Sequence, residues 1–123
     1  MAFLHAMIRV KDLEASKKFY CELVGLKASR ELRLEDATLY YFVDESTGAE
    51  IEFTVNDDIP SEGYKVGDSF GHFAFSVDMD EMIKKVNELG YKWMYEPFTM
   101  QETGRKIAFI KDPDGNQIEF IAK

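Results

Sequence analysis

The hydrophobic and polar positions of this chain follow the same succession of patterns in both halves. In each half, a segment that alternates with the period of a strand is followed by an apolar stripe at helical spacing. An aspartate precedes each stripe and a glycine follows it, which is typical of an N-cap and a C-terminal stop. The strand segments are residues 3–10 and 72–77, and the capping residues are Asp12 with Gly25 and Asp78 or Asp80 with Gly90.

Three further segments with strand character follow each predicted helix. The turn Asp112-Pro113-Asp114-Gly115, with proline at its second position, separates the last two of them. The predicted strands are residues 27–34, 38–43, 50–55, 92–96, 106–110 and 117–121. We therefore predict an α+β fold of two βαβββ modules, residues 1–56 and 70–123, which form a curved mixed sheet. Residues 57–69 are rich in turn formers and are predicted to be the linker.

The only two histidines of the chain occupy equivalent places in the two modules. His5 and His72 are each followed by an Ile-Glu-Phe tripeptide, whose glutamate comes 47 positions later in both cases (52 − 5 and 119 − 72). A lone histidine on a strand is usually structural, but a duplicated pair at equal spacing is harder to explain that way. Two imidazoles and two carboxylates can bind one divalent cation. The spacing thus predicts a metal site of His5, Glu52, His72 and Glu119.

The strand around Glu52 carries four polar side chains on one face, at positions 50, 52, 54 and 56. Such a face is often simply solvated in an antiparallel sheet. The first strand, however, has a mixed face that contains both His5 and Arg9. We therefore expect a half-site of His5 and Glu52, with Arg9 and Asn56 farther along the strands.

The nature of the four donors restricts the chemistry. Nitrogen and oxygen ligands suit Ni(II), Co(II), Mn(II), Fe(II) or Zn(II), and the lack of thiolates excludes a structural zinc knuckle. Four protein ligands on an octahedral ion leave two positions for waters or for two adjacent oxygens of a substrate. A carboxylate that detaches from the ion could act as a general base, while the cation stabilises an enolate oxygen.

Composition and charge exclude several other functions. The chain has 123 residues, 46% of them hydrophobic, and a formal net charge of −8, which disfavours nucleic acid and anionic membranes as partners. No apolar run approaches the roughly 20 residues of a membrane span, and no secretory leader is recognisable. Cys21 is the only cysteine, which fits a reducing cytoplasm. An anionic substrate would need a local cation such as an arginine.

These motifs resemble glyoxalase I (lactoylglutathione lyase), a family of the vicinal-oxygen-chelate superfamily, over nearly the whole chain. The Asp-Pro-Asp-Gly turn marks only the superfamily, whereas the complete His, Glu, His, Glu set is far more specific. The matching segments are residues 4–10, 18–20, 25–26, 51–56, 70–72 and 108–119.

The resemblance implies isomerisation of the hemithioacetal of methylglyoxal and glutathione to S-D-lactoylglutathione, through an enediolate. Glu119 would move the proton, and Glu52 would be a ligand and a possible second base. Arg9 and Asn56 match positions that hold the γ-glutamyl end of glutathione. The metal implied by the short chain is Ni(II) or Co(II), with Zn(II) possible. The relatives are commonly homodimers with the site built across two subunits, so the resemblance favours that arrangement over a site closed within one chain.

One position departs from the family pattern. A basic residue commonly precedes the Glu-Pro pair and helps to hold the glycine carboxylate of glutathione, but Tyr95 stands there in this chain. Arg105 or Lys106 could replace it, or the thiol could be another one. Two other classes remain as alternatives: a different metalloenzyme of the superfamily, either an acyl-thioester epimerase or an extradiol dioxygenase, and a metal-free antibiotic-sequestering protein.

Overall fold

The computed structural model describes all residues from Met1 to Lys123, in two compact units, Met1–Lys65 and Val66–Lys123. The boundary between the units lies in a stretch without helix or strand. The elements of the first unit are β1 (His5–Arg9), α1 (Leu13–Lys17), a π-helix (Lys18–Val24), β2 (Lys27–Arg33), β3 (Ala37–Val43) and β4 (Glu50–Asn56). Those of the second unit are β5 (His72–Val77), α2 (Met79–Leu89), β6 (Trp93–Thr99), β7 (Lys106–Lys111) and β8 (Gln117–Ala122).

Each unit contains its own four-stranded mixed sheet. The strand order is β1-β4-β3-β2 in the first unit and β5-β8-β7-β6 in the second. In both sheets the first strand pairs in parallel with the last one, and the remaining pairs are antiparallel. The prediction of two βαβββ modules is therefore confirmed, and the duplication extends to the pairing of the strands.

The predicted ends of both helices are confirmed by their caps. The carboxylate of Asp12 accepts a hydrogen bond from the amide of Ala15, and Asp78 rather than Asp80 caps the second helix. Gly25 ends the first helical segment in the left-handed region, at φ +98°, where a side chain would be strained.

The π-helical form of residues 18–24 differs from the α-helix that the pattern predicts. The amides of both Gly25 and Leu26 donate to the carbonyl of Tyr20, so the hydrogen bonds span more residues than in an α-helix. The pattern does not distinguish the two helix types here, because the buried residues Phe19, Tyr20 and Leu23 span a single turn and their spacing suits either helix. No helix of the structure is both long enough and apolar enough to cross a bilayer.

The strand β6 is longer than predicted and runs through Pro97 to Thr99. Proline cannot donate to a neighbouring strand, but β6 is an edge strand, and its register shifts between Tyr95 and Phe98. The strand β5 has its predicted limits, and the remaining strands begin and end within two residues of theirs.

The helical face of the first sheet forms an aromatic core. Phe53 of β4 is fully buried, and its ring centroid lies 5.0 Å from that of Tyr20 and 4.6 Å from that of Phe42. Phe120 is likewise fully buried in the second unit. Because side chains alternate along a strand, burying Phe53 and Phe120 on one face turns Glu52 and Glu119 to the other.

Replacing Phe53 by alanine should lower the free energy of unfolding by about 3–5 kcal/mol, because a cavity would open between Tyr20 and Phe42. Urea denaturation measures the loss. Phe53→Leu is the matched control: it keeps most of the side-chain volume and should cost clearly less. Equal losses in the two variants would show that the cavity is not the cause.

Candidate functional site

The first half-site is built by the parallel strands β1 and β4. Their register places Met7 opposite Glu52, and His5, two residues earlier, shares that face of the sheet. The Nε2 atom of His5 lies 3.9 Å from Oε2 of Glu52. Glu52 is only 7% exposed, so the polar face of β4 is covered at this point and is not a simple solvated surface.

The second half-site repeats this construction in β5 and β8. Ala74 lies opposite Glu119, and His72, two residues earlier, shares its face. The Nε2 atom of His72 lies 3.0 Å from Oε2 of Glu119. Within each unit, the structure brings together the histidine and the glutamate that the sequence pairs.

Both pairs have donors that suit a divalent cation, but only the second pair has the spacing of neighbouring ligands, because the first is wider at 3.9 Å. Two donors at about 2.1 Å from one ion and at right angles to each other are about 3.0 Å apart, which is the separation found for His72 and Glu119. Neither unit alone gathers three His, Cys, Asp or Glu side chains that could hold a metal. Each unit therefore brings together two of the four residues that the sequence predicts as ligands.

The lone cysteine takes no part in either pair. Cys21 lies in the π-helix and is half-buried, and this burial raises the pKa of its thiol. The raised pKa disfavours the thiolate, which is the form that binds metals and acts as a nucleophile.

Tyr41 contacts both members of the first pair and was missed by the sequence analysis. It lies opposite Glu52 in the register of β3 and β4, and its hydroxyl donates to Oε1 of Glu52 at 2.6 Å. Its ring meets the ring of His5 edge to face, with centroids 5.5 Å apart. The hydrogen bond to the Glu52 carboxylate is the main reason why the pKa of Tyr41 is raised. The phenol therefore keeps its proton and remains a donor at neutral pH.

Arg30 holds Tyr41 from the neighbouring strand. Arg30 lies opposite Tyr41 in β2, and its guanidinium carbon is 4.0 Å from the centre of the tyrosine ring, a cation–π contact. The same guanidinium lies 3.4 Å from Oε2 of Glu50. The first half-site is thus backed by a row of contacts from Arg30 through Tyr41 to Glu52.

The second half-site has the same backbone register but different side chains. Phe109 lies opposite Glu119 where the first unit has Tyr41, and Tyr95 lies opposite Phe109 where the first unit has Arg30. The ring of Phe109 meets His72 edge to face at 5.7 Å, much as Tyr41 meets His5. Phe109, however, has no hydroxyl to donate to Glu119. The two pairs are therefore alike in geometry and unequal in hydrogen bonding.

Hairpin length explains why this correspondence is hidden in the sequence. Tyr41 precedes Glu52 by 11 positions, whereas Phe109 precedes Glu119 by 10 (119 − 109). A search at constant spacing aligns Tyr41 with Ala108 instead. The equivalence of Tyr41 and Phe109 could have been found by pairing the strands of each hairpin outward from its turn.

The structure places the predicted substrate-binding residues of the first unit along the same face. Arg9 is exposed and lies opposite Thr54, and Asn56 ends β4. The side-chain oxygen of Asn56 accepts a hydrogen bond from the hydroxyl of Tyr64 at 3.0 Å. Its amide nitrogen is thereby left as the group that can donate to a ligand. Tyr64 comes from the segment predicted as a linker, and nothing in its pattern indicated this contact.

Arg105 and Lys106 are both exposed and are not brought beside the second pair. Lys106 begins β7 opposite Thr99, three residues before Phe109. Because side chains alternate along a strand, Lys106 points to the face opposite to that of Phe109 and Glu119. Arg105 lies in the turn before β7.

Comparison with known proteins places this architecture in a family. The sequence model of the Glyoxalase/Bleomycin resistance protein/Dioxygenase superfamily matches residues 2–120. A Synechocystis sp. protein named probable lactoylglutathione lyase is 38% identical over 98% of this chain and 95% of its own length.

Two solved structures resemble the fold at similar identity. The trypanothione-dependent glyoxalase I of Leishmania major superposes with a TM-score of 0.82 and 34% identity, over 99% of this chain and 86% of that one. Glyoxalase I from Zea mays gives a TM-score of 0.85 and 33% identity over 98% of this chain, which spans only 44% of the maize chain. The resemblance drawn from the sequence motifs is confirmed, and this chain belongs to the glyoxalase/bleomycin resistance protein/dioxygenase superfamily.

Proposed function

We propose that this protein is a metal-dependent glyoxalase I, which isomerises the hemithioacetal of methylglyoxal and a thiol to the S-D-lactoyl thioester. The observation that carries the proposal is the repeated histidine–glutamate pair, found at the same strand register in both units. The names of the similar proteins, lactoylglutathione lyase and glyoxalase I, support the same reaction. The lone cysteine is consistent with a cytoplasmic enzyme.

The proposed ligands of the metal are His5, Glu52, His72 and Glu119. Two neutral imidazoles and two carboxylates carry a net charge of −2, which a divalent cation neutralises. Ni(II) and Co(II) are the favoured ions, and Zn(II) is compatible with the same donors. When bound, the cation supplies positive charge that polarises the substrate oxygens and favours removal of the adjacent proton. We favour a homodimer, in which either one chain or both chains contribute the two pairs.

The carboxylate of Glu119 is the proposed general base. It takes the proton from C1 of the hemithioacetal and returns it to C2, while the proton of the C1 hydroxyl passes to the oxygen on C2. The sulfur stays on C1, so the product is a thioester and no oxidant is needed. Within its unit, Glu119 has His72 as its polar partner and faces a phenyl ring, so one of its oxygens is uncommitted.

The anionic end of the thiol is proposed to bind at Arg9 and Asn56. An exposed guanidinium and an amide nitrogen are both donors, which is what a carboxylate requires. The second carboxylate of glutathione has no cationic partner at Tyr95, and of Arg105 and Lys106 we favour Arg105, because Lys106 points to the other face of β7. Since one similar enzyme is trypanothione-dependent, the identity of the thiol is best decided by assay.

Reconstitution of the apo-protein with single metals tests the metal, the reaction and the thiol together. We expect about one ion per chain and thioester formation with Ni(II) or Co(II), because these ions suit mixed imidazole and carboxylate ligands. Methylglyoxal should be assayed with glutathione and then with trypanothione. Inactivity with every metal and thiol would remove the lyase assignment, and tight binding of an antibiotic by metal-free protein would favour a sequestering role.

Glu119→Gln should lower kcat by about 10²- to 10⁴-fold, because the amide cannot accept the proton. Part of the metal should remain bound, which elemental analysis of the purified variant measures. Glu31→Gln is the matched control, since Glu31 is an exposed strand glutamate that lies opposite Tyr40 rather than Tyr41. Wild-type turnover by Glu119→Gln would exclude Glu119 as the base.

A further inference from the structure

The two glutamates differ in how firmly the protein holds them. In Glu52, Oε1 accepts from the hydroxyl of Tyr41 at 2.6 Å, and Oε2 is the oxygen that lies nearer to His5. The two oxygens therefore have separate partners, and the carboxylate cannot turn away from His5 without breaking a charge-assisted hydrogen bond. Glu119 has only one such partner: its Oε2 lies 3.0 Å from His72, and Phe109 offers only a hydrocarbon edge where Glu52 has the Tyr41 hydroxyl.

Tyr41 is itself well fixed for this task. The Arg30 guanidinium covers one face of its ring at 4.0 Å, and the edge contact with His5 restricts it from another side. Arg30 in turn lies close to Glu50 on the same face of the sheet. A hydroxyl that is positioned by packing, rather than by solvent, can hold its acceptor in one orientation.

Phe109 shows that the backbone alone does not require this hydroxyl. Its ring meets His72 at an interplanar angle of 86°, close to the 85° between Tyr41 and His5. A hydroxyl added to Phe109 would consequently face Glu119 much as the hydroxyl of Tyr41 faces Glu52. The first unit therefore has a hydroxyl donor beside its glutamate, and the second unit has none.

We propose that Tyr41 is a positioning residue, which commits Glu52 to metal binding and so leaves Glu119 as the carboxylate that moves the proton. The proposal rests on the function proposed above and assigns different tasks to its two glutamates. In this assignment Tyr41 acts on the carboxylate that its hydroxyl holds and not on the substrate. Phe109, its counterpart, donates no hydrogen bond to Glu119, so that this carboxylate can move between the metal and the substrate proton.

Exchanging the hydroxyl between the two positions tests this assignment. For Tyr41→Phe we expect a 10- to 100-fold loss of Co(II) affinity in chelator competition, the usual effect of removing a group that orients a ligand. Its visible Co(II) spectrum should change, and kcat at saturating Co(II) should fall less than the affinity does. For Phe109→Tyr we expect the reverse: Co(II) affinity retained or increased, and kcat lowered by about 10- to 100-fold, the effect of one hydrogen bond to a charged group.

Tyr40→Phe is the matched control, because it removes a hydroxyl from the adjacent residue, which lies opposite Phe53 on the other face of β3. It should leave Co(II) affinity, spectrum and kcat unchanged. Wild-type Co(II) affinity in Tyr41→Phe, or wild-type kcat in Phe109→Tyr, would overturn the proposal. If Tyr41→Phe does not fold, the Phe109→Tyr arm still decides. A wild-type protein without Co(II) binding or turnover would instead refute the proposed function itself.

Discussion

The parallel pairing of a histidine-bearing first strand with a glutamate-bearing last strand is the constraint on which each half of this protein depends. It is anchored from the opposite face, where Phe53 and Phe120 are fully buried. A slip of one residue would turn these rings outward and drive the glutamates into the core, at a large cost in both hydrophobic burial and charge desolvation. The aromatic core and the polar site thus stabilise the same register.

The two units share this register but differ in the side chains next to their glutamates. In the first unit, Tyr41 donates a hydrogen bond to Glu52, and Arg30 packs against the ring of Tyr41. In the second, phenylalanine and tyrosine rings occupy the same places. If the four donors bind one cation, as we propose, a repeated backbone provides the symmetric ligand set, and unequal neighbours allow one carboxylate to hold the ion and the other to react. The exposed Tyr95, which departs from the family pattern, belongs to this second set of neighbours.

Features that depend on local pattern or on equal spacing could be predicted from the sequence. Strand alternation, the caps at Asp12 and Gly25, and the duplicated histidine–glutamate spacing lead to two βαβββ modules and to both pairs. Features that depend on hydrogen-bond geometry or on loop length could not. The buried residues of the π-helix span only one turn, whose spacing also suits an α-helix. The position equivalent to Tyr41 is displaced in the repeat because the first hairpin is one residue longer. The hydrogen bond between Tyr64 and Asn56 joins a segment without periodicity to a strand end, so no sequence pattern predicts it.

X-ray absorption spectroscopy of the protein loaded with Ni(II) or Co(II) tests the central claim most directly, because it counts the imidazoles around each ion. If His5 and His72 share one cation, as we propose, the spectrum should contain two imidazole ligands per ion together with oxygen donors and no sulfur. Loss of one imidazole should follow from replacing either histidine. A single imidazole per ion in the wild-type protein, with two ions bound per chain, would contradict a shared site and show that each pair binds its own metal.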